Sequence, residues 1–164
     1  MNDNNPFAPP ASHVEDIKGV NSQRSSGFRL SASLLWRVLI VQTALGMPVV
    51  ALLSFANVEN TATLIKLKPS LIFVVISVGL AASLALTSRG ALFFPWGVRL
   101  NLSGVVWRWL TWLFSGLYLA LAIANLGVAY SAPVQTWVVY KVFFPLLAIT
   151  ALCIAAPRAL PAEA

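Results

Sequence analysis

The chain has 164 residues, of which 59% are hydrophobic and 10% are charged, whereas about 25% of the residues in a typical soluble domain are charged. Its apolar residues form long unbroken blocks, which exclude an ordinary soluble domain and are typical of membrane-spanning segments. The net charge of +6 does not indicate nucleic-acid binding. The eleven Lys and Arg residues are scattered and form no basic stripe with interleaved aromatic residues.

The N-terminal segment, residues 1–32, is polar and is interrupted by Pro6, Pro9, Pro10 and Gly19. Such a segment cannot bury enough apolar surface to fold alone, so we predict a disordered tail. We do not expect a signal peptide, because the apolar run starts too far into the chain and no small-residue cleavage site follows a short apolar core.

Four segments are long and apolar enough to be transmembrane helices, and we place them at about residues 34–56, 69–87, 106–130 and 134–156. In the first, residues 38–58 carry no charge over 21 positions, which as helix would cross the roughly 30 Å of bilayer hydrocarbon. The second begins with Pro69, a residue favoured at the first helical position. Only Ser131, Ala132 and Pro133 with their neighbours separate the last two, which predicts a tight antiparallel hairpin.

The predicted fold is therefore an all-α integral membrane protein with four transmembrane helices and a disordered N-terminal tail. We expect the transmembrane domain at residues 33–157 and a short C-terminal tail at residues 158–164. On one side of the membrane lie eight basic residues: Lys18, Arg24, Arg29, Arg37, Arg89, Arg99, Arg108 and Arg158. The other side has Lys66 and Lys68, so the positive-inside rule places both termini and the middle loop in the cytoplasm.

The middle loop, residues 88–105, contains a short apolar stretch at residues 91–96 that is too short to span the bilayer. Arg89 and Arg99 flank it, and aromatic residues favour the headgroup level. We expect this stretch to lie at the cytoplasmic interface as an aromatic anchor. We also expect Gly116 and Gly127 to be helix-packing positions, because small residues let membrane helices approach closely.

The distribution of titratable residues argues against an enzyme. The acidic residues all lie outside the predicted spans: Asp3, Glu15, Asp16, Glu59 and Glu163. The one histidine, His13, lies in the polar tail, and Cys153 is the one cysteine. Proton relays in membranes usually need an intramembrane carboxylate or histidine, and acid–base catalysis needs a titratable pair in a pocket. We therefore expect no catalytic residue, no metal site and no cofactor.

Lys141 is the unusual residue, because it lies about 10 Å into the fourth span if that helix starts near Val134. Its stem could lie in lipid while the ammonium reaches the headgroups, as snorkelling lysines do. A turn centred on Pro133 instead places Asn125 opposite Lys141, each eight residues from the turn. Asn125 offers an amide carbonyl acceptor to the three donors of Lys141. We therefore hypothesise that the two residues pair and set the register of the hairpin.

Lys66 and Lys68 flank the outer end of the second span. They are either interfacial anchors or contacts to a phosphate or lipid headgroup on the outer face, with Lys141 as a further partner. Trp137 is a further candidate structural or headgroup contact. It is included because it belongs to the resemblance described next.

Residues 65–70 (Ile-Lys-Leu-Lys-Pro-Ser), 125–130 (Asn-Leu-Gly-Val-Ala-Tyr) and 137–143 (Trp-Val-Val-Tyr-Lys-Val-Phe) together resemble the bacterial intracellular septation protein A family of YciB-type inner-membrane proteins. That family has an Ile-Lys-Trp-Lys-type start to one span, and an Asn-x-x-Val-Ala-aromatic helix end followed by Trp-Val-Asn-Phe-Lys-Val-Phe. The resemblance covers roughly residues 60–157. Trp107 and Leu110 also fall where the family has a Trp and a Leu.

This sequence departs from the family pattern at several positions. Val139 replaces an Asn, Phe144 stands where a Gly is usual, and Thr111 and Phe114 replace an Asn and a Trp. Family members also begin with apolar segments almost at once. The chain is thus similar to a divergent, N-terminally different member, and the departures favour a shared fold over a fully shared function.

The resemblance implies a multi-pass protein of the bacterial inner membrane that acts in envelope biogenesis, membrane homeostasis and septation. Its expected partners are the lipid bilayer and inner-membrane elongation or division proteins, not nucleic acid. One alternative is an accessory subunit or carrier for a lipid or lipid-linked precursor, which would need a homo-oligomer because four short helices enclose only a small cavity. A cleft opening to lipid beside Lys141 would distinguish this alternative from the envelope role. Another is a small immunity-type membrane protein.

Overall fold

A computed structural model describes residues 12–55, 62–94, 100 and 102–160. Within these residues the chain is helical, with no strand. The four long helices are α1 (Ser12–Phe55), α2 (Ala62–Leu86), α3 (Gly104–Ser131) and α4 (Val134–Ala155). Short 3-10 turns lie at Ala91–Phe93 and Ala156–Arg158. The segments long and apolar enough to cross a membrane are Gly27–Phe55, Ile65–Leu86, Gly104–Ser131 and Val134–Arg158, which confirms the predicted fold class.

The first helix is longer than the sequence pattern predicts. Residues 12–32, which fall in the predicted tail, continue the helix of the first span toward the N-terminus. Pro6, Pro9 and Pro10 all precede Ser12, so no proline interrupts this extension. Adding residues to an existing helix costs far less than nucleating a new one. The rest of the predicted tail, residues 1–11, lies outside the described residues.

The centre of the bundle is α3, which packs most extensively against α2. Its buried side chains recur every three or four residues and so line one side of the helix. They include Trp107, Leu110, Phe114, Tyr118 and Leu121, all at most 2% exposed. Much of α4, by contrast, exposes large apolar side chains to the surroundings of the bundle. That exposure suits a helix in contact with lipid, because lipid tails are as apolar as the side chains.

Buried polar side chains join neighbouring helices. Ser77 Oγ donates to the Ser115 carbonyl at 2.8 Å, and Ser115 Oγ donates back to the Ser77 carbonyl at 2.9 Å. Between α1 and α3, the Tyr118 hydroxyl donates to Gln42 Oε1 at 2.8 Å. In a membrane the hydrophobic effect does not drive helices together, because lipid tails are as apolar as the side chains. Interhelical hydrogen bonds of this kind, together with close packing, hold the helices together instead.

The hairpin between α3 and α4 is as tight as the sequence indicates. Only Ala132 and Pro133 separate the two helices. The Ala132 N–H donates to the Val128 carbonyl at 3.0 Å, and Ser131 Oγ donates to the Gly127 carbonyl at 2.7 Å. The bond from Ala132 satisfies the Val128 carbonyl, one of the four at the end of α3 that lack a partner within the helix.

The expectation for Gly116 and Gly127 is wrong within this bundle. An added Cβ at either position would meet no atom within 4 Å. Both glycines lie on the exposed side of α3, opposite the face that packs on α2. Close packing occurs instead at Gly79, where an added Cβ would lie 3.0 Å from Leu45 Cδ1.

The middle loop folds onto the end of the bundle. Gly90 turns the chain with φ at +76° and ψ at 171°, a region that is essentially restricted to glycine. Leu92 is then 1% exposed and joins the hydrophobic core. We expected residues 91–96 to lie at the membrane interface. This expectation is wrong for Leu92, which packs inside the protein, whereas Phe94 is exposed. Residues 95–99, including Trp96, lie outside the described residues.

Candidate functional site

Asn125 is the most deeply buried polar residue among the predicted contacts. It lies on the face of α3 that packs against α2 and is 0% exposed. Its Nδ2 donates to Ser70 Oγ at 2.7 Å and to the Lys66 carbonyl at 3.2 Å. Its Oδ1 is buried and accepts no hydrogen bond from a described residue. Asn125 therefore joins the N-terminal part of α2 to the C-terminal part of α3.

Lys66 completes this junction from the opposite direction. Its Nζ donates to the Ala129 carbonyl at 3.1 Å and to the Ala132 carbonyl at 3.4 Å. Carbonyls at a helix C-terminus lack partners within the helix and carry partial negative charge, so an ammonium group there is stabilising. The structure thus uses Lys66 to cap α3, where the sequence suggested an anchor or a headgroup contact.

The hypothesis that Asn125 pairs with Lys141 is wrong in this structure. Asn125 donates both of its hydrogen bonds to α2, whereas Lys141 Nζ lies over the Trp137 ring, 5.1 Å from its centroid. Equal distance from a turn places two residues at one height along a hairpin. It does not decide whether their side chains point toward each other, because each helix also rotates about its own axis to pack on other neighbours.

Trp137 and Lys141 form a pair along one side of α4. They are four residues apart, so they lie on the same helix face. Trp137 is 4% exposed, and its indole Nε1 has no hydrogen-bond partner among the described residues. Lys141 is exposed. A lysine ammonium over the face of an indole is held by the ring's negative quadrupole, and this contact directs the Lys141 head along the bundle surface.

Lys141 and Lys68 line one cleft of about 460 Å³ that involves α1, α2 and α4. The wall from α1 includes Gln42, and the wall from α2 includes Phe73. The remaining lining residues are Val50, Leu53, Ser54, Ile65, Pro69 and Ile72. The described lining thus combines apolar side chains with two ammonium groups, and it includes no carboxylate. Three of the predicted contacts, Lys66, Asn125 and Trp137, lie outside this lining. Lys66 and Asn125 join α2 to α3, whereas Trp137 contacts Lys141 on its own helix.

A second polar cluster lies at the opposite end of the bundle, where the sequence suggested only a topology charge. Arg37 on α1 is 3% exposed. Its Nη1 donates to the Leu92 carbonyl at 3.2 Å, and its guanidinium carbon lies 4.9 Å from the Trp107 ring centroid. Arg37 therefore connects α1, the middle loop and α3. The signal available in the sequence was its position directly before the uncharged run that begins at Val38, four residues after Ser33, whose Oγ accepts from Arg37 Nε at 3.2 Å.

The buried polar groups of the bundle are engaged mainly in contacts within the protein. Across the described ranges, no three His, Cys, Asp or Glu side chains are grouped so that they could hold a metal ion. Cys153 is buried. The buried polar groups in the bundle mostly make hydrogen bonds between helices, as at Ser77, Asn125 and Arg37.

Comparison with known proteins gives consistent results. The family model described as "Intracellular septation protein A" matches residues 32–160. Proteins named "Inner membrane-spanning protein YciB" match at 35% identity over 91 residues in Vibrio parahaemolyticus and at 34% over 111 residues in Methylibium petroleiphilum. These alignments cover 56% and 68% of this chain, and 48% and 50% of the relatives.

A protein of the same name from Shewanella frigidimarina is 32% identical over 79 residues, covering 48% of this chain and 43% of the relative. The chain thus spans about half the length of the curated relatives it matches. No solved structure matches it.

Proposed function

Because the chain belongs to the intracellular septation protein A family, we propose that it is a non-enzymatic inner-membrane protein of envelope biogenesis, membrane homeostasis and septation. The observation that carries this proposal is the extent of the family match. Residues 32–160 include α2, α3, α4 and most of the first span. The matched unit is therefore the helix bundle itself.

The polar interior supports a role in binding. Ser77 with Ser115, and Asn125 with Ser70, each join α2 to α3 through short hydrogen bonds. Donors that are engaged in holding helices together are poorly placed to exchange protons with a substrate. We propose that the protein acts through its surfaces, toward the bilayer, toward elongation or division proteins of the inner membrane, and toward further copies of itself.

One observation favours the second candidate, an accessory subunit or carrier for a lipid or lipid-linked precursor. The cleft lined by Lys141 and Lys68 is the feature that this function requires, because a solid bundle would offer no place for a lipid. A basic pocket between transmembrane helices is a recognised way to bind phosphorylated headgroups. The carrier role would be one form of the envelope role.

A deletion and complementation experiment tests the envelope role. The gene is deleted in its host, and cell length, division and sensitivity to envelope stress are scored with and without the wild-type gene on a plasmid. We expect a defect that the wild-type gene rescues. Absence of any defect under every stress would contradict the proposal.

The complementation also separates the two candidate functions. Lys141→Leu removes an ammonium from the cleft, and Arg108→Leu removes an exposed charge from α3 as the matched control. If the cleft is needed, Lys141→Leu fails to rescue while Arg108→Leu succeeds, with both proteins inserted at wild-type levels. Rescue by both variants would contradict the carrier role and leave the envelope role in place.

The orientation is part of the proposal. The placement of Lys and Arg puts both termini and the middle loop in the cytoplasm. Alkaline phosphatase, which is active only outside the cytoplasm, is fused after Ala132 in one fusion protein and after Arg158 in a second. We expect activity only from the Ala132 fusion. The reverse result would invert the topology.

A further inference from the structure

We propose that the cleft among α1, α2 and α4 is a binding site for one anionic phospholipid, with its phosphate at Lys141 and an acyl chain along the apolar walls. This inference rests on the proposed function and deepens it by naming the ligand class of the cleft.

The walls of the cleft have the extent of a single leaflet. On α1 the lining runs from Gln42 to Leu53 and Ser54. The eleven residue-to-residue steps from Gln42 to Leu53 correspond to about 16 Å of helix. That length is close to half of a hydrocarbon core of about 30 Å. The cleft therefore reaches from near the headgroups to the middle of the membrane, which is the depth that one acyl chain occupies.

The residues of α2 that line the cleft also form a continuous wall, as their spacing in the sequence shows. Its lining residues, Ile65, Lys68, Pro69, Ile72 and Phe73, recur at intervals of three and four and so form one helix face. Lys68 lies three residues into the apolar segment that starts at Ile65, about 4.5 Å along the helix. The charged group is thus at the headgroup end of the wall and the aromatic ring lies deeper.

Charge selects the anionic lipid over other occupants. Of the two lysines in the described lining, Lys141 is the exposed one, and the described lining includes no acidic side chain. Lys141 Nζ donates no hydrogen bond to a described residue and lies over the Trp137 ring, a contact that leaves its N–H groups available for an acceptor. A lysine ammonium is a compact point charge that suits a phosphate. A zwitterionic lipid offers the same phosphate with a compensating positive charge, so it should bind less tightly.

Gln42 supplies a polar contact at the deep end of the cleft. Its Oε1 accepts from the Tyr118 hydroxyl, which fixes the side chain. Its Nε2 makes no hydrogen bond within the part of the chain that the structure describes. An amide donor in apolar surroundings is costly unless it is paired. The lipid's ester oxygens lie near its phosphate, at the other end of the cleft, so an ordered water is the partner that this donor can take.

The test is native mass spectrometry of the full chain in detergent, titrated separately with phosphatidylglycerol and phosphatidylcholine that carry the same acyl chains. We expect the first phosphatidylglycerol to bind more tightly than phosphatidylcholine. Lys141→Gln should weaken phosphatidylglycerol binding about fivefold, the effect of one basic group near an anionic membrane surface, and leave phosphatidylcholine binding unchanged. The control Arg108→Gln should change neither.

A second pair of variants tests the acyl groove without changing charge. Leu53 lines the cleft, whereas its neighbour Leu52 is 69% exposed and lies outside the lining. Leu53→Trp should weaken the binding of both lipids, and Leu52→Trp should weaken neither. Because both variants add the same ring to adjacent positions of α1, a general effect on folding would appear in both.

Three results would overturn the proposal. They are equal affinity of the wild type for the two lipids, equal loss in Lys141→Gln and Arg108→Gln, and binding of inorganic phosphate as tight as that of phosphatidylglycerol. Each rejects the lipid site while leaving the complementation result intact. Conversely, a deletion without a phenotype rejects the envelope role while leaving the binding measurement valid.

Discussion

The hydrogen bond between Asn125 and Ser70 predicts a measurable coupling between α3 and α2. The donor and acceptor are 2.7 Å apart, and the two residues are 0% and 4% exposed. Polar contacts between membrane helices contribute about 0.6 kcal/mol on average and up to about 1.7 kcal/mol. A short, fully buried bond belongs in the upper part of that range, so we expect a coupling free energy of about 1 kcal/mol.

A double-mutant cycle of Asn125→Ala and Ser70→Ala isolates this term, because it subtracts the other effects of each substitution. Asn125→Ala alone should cost more than the coupling, since it also removes the bond to the Lys66 carbonyl and leaves a small cavity. Ser70→Ala alone should cost less, since Asn125 keeps its second acceptor.

The unfolding assay can use the chain's own thiol. Cys153 is the one cysteine, and it is 1% exposed. Its rate of alkylation in mixed micelles of increasing SDS content reports the fraction unfolded. A parallel cycle of Asn125→Ala with Lys141→Ala should give a coupling near zero. A larger coupling in the Lys141 cycle than in the Ser70 cycle would refute the assignment of Asn125 to α2.

Three further predictions use the same assay. Gly90→Ala should lower the free energy of unfolding by about 1–3 kcal/mol, the cost of a backbone region essentially restricted to glycine. Its Cβ would also lie 2.5 Å from Thr111 Oγ1. The control Gly116→Ala should stabilise by up to about 1 kcal/mol, and equal effects at the two glycines would contradict the loop geometry. Arg37→Leu should cost at least about 1.5 kcal/mol through its lost charge-assisted hydrogen bond; a neutral result would show that the loop docks without it. Lys66→Gln should cost about 0.3–1 kcal/mol by uncapping α3, and Lys66→Arg should restore stability.

The sequence alone determined where the helices lie and how the last two connect. Runs of apolar residues longer than a bilayer's thickness have few alternatives to a spanning helix. A linker as short as Ala132 and Pro133 leaves no geometry except an antiparallel hairpin. The resemblance around Trp137 and Lys141 also identified the family that the comparison with known proteins shows.

The side-chain partners required the tertiary structure. In a soluble helix the buried face is marked by apolar residues, but in a membrane the lipid-facing side is apolar too, so the pattern does not reveal which way a helix is turned. The pairing of Asn125 with Lys141 was predicted wrongly for this reason, because Asn125 bonds to α2 instead. Leu92 was misjudged, and the contact of Arg37 with its carbonyl was not predicted, because nothing local in the sequence shows that the middle loop folds back onto the bundle.

The cleft is the clearest case of a feature that only the fold decides. Gln42, Lys68 and Lys141 belong to three helices and are separated by up to 99 residues. The rotations of α1, α2 and α4 about their axes bring them to one surface, and those rotations depend on contacts elsewhere, such as Tyr118 with Gln42 and Asn125 with Ser70. Apolar length determined that these helices cross the bilayer, whereas interhelical packing and hydrogen bonding decided which of their residues meet.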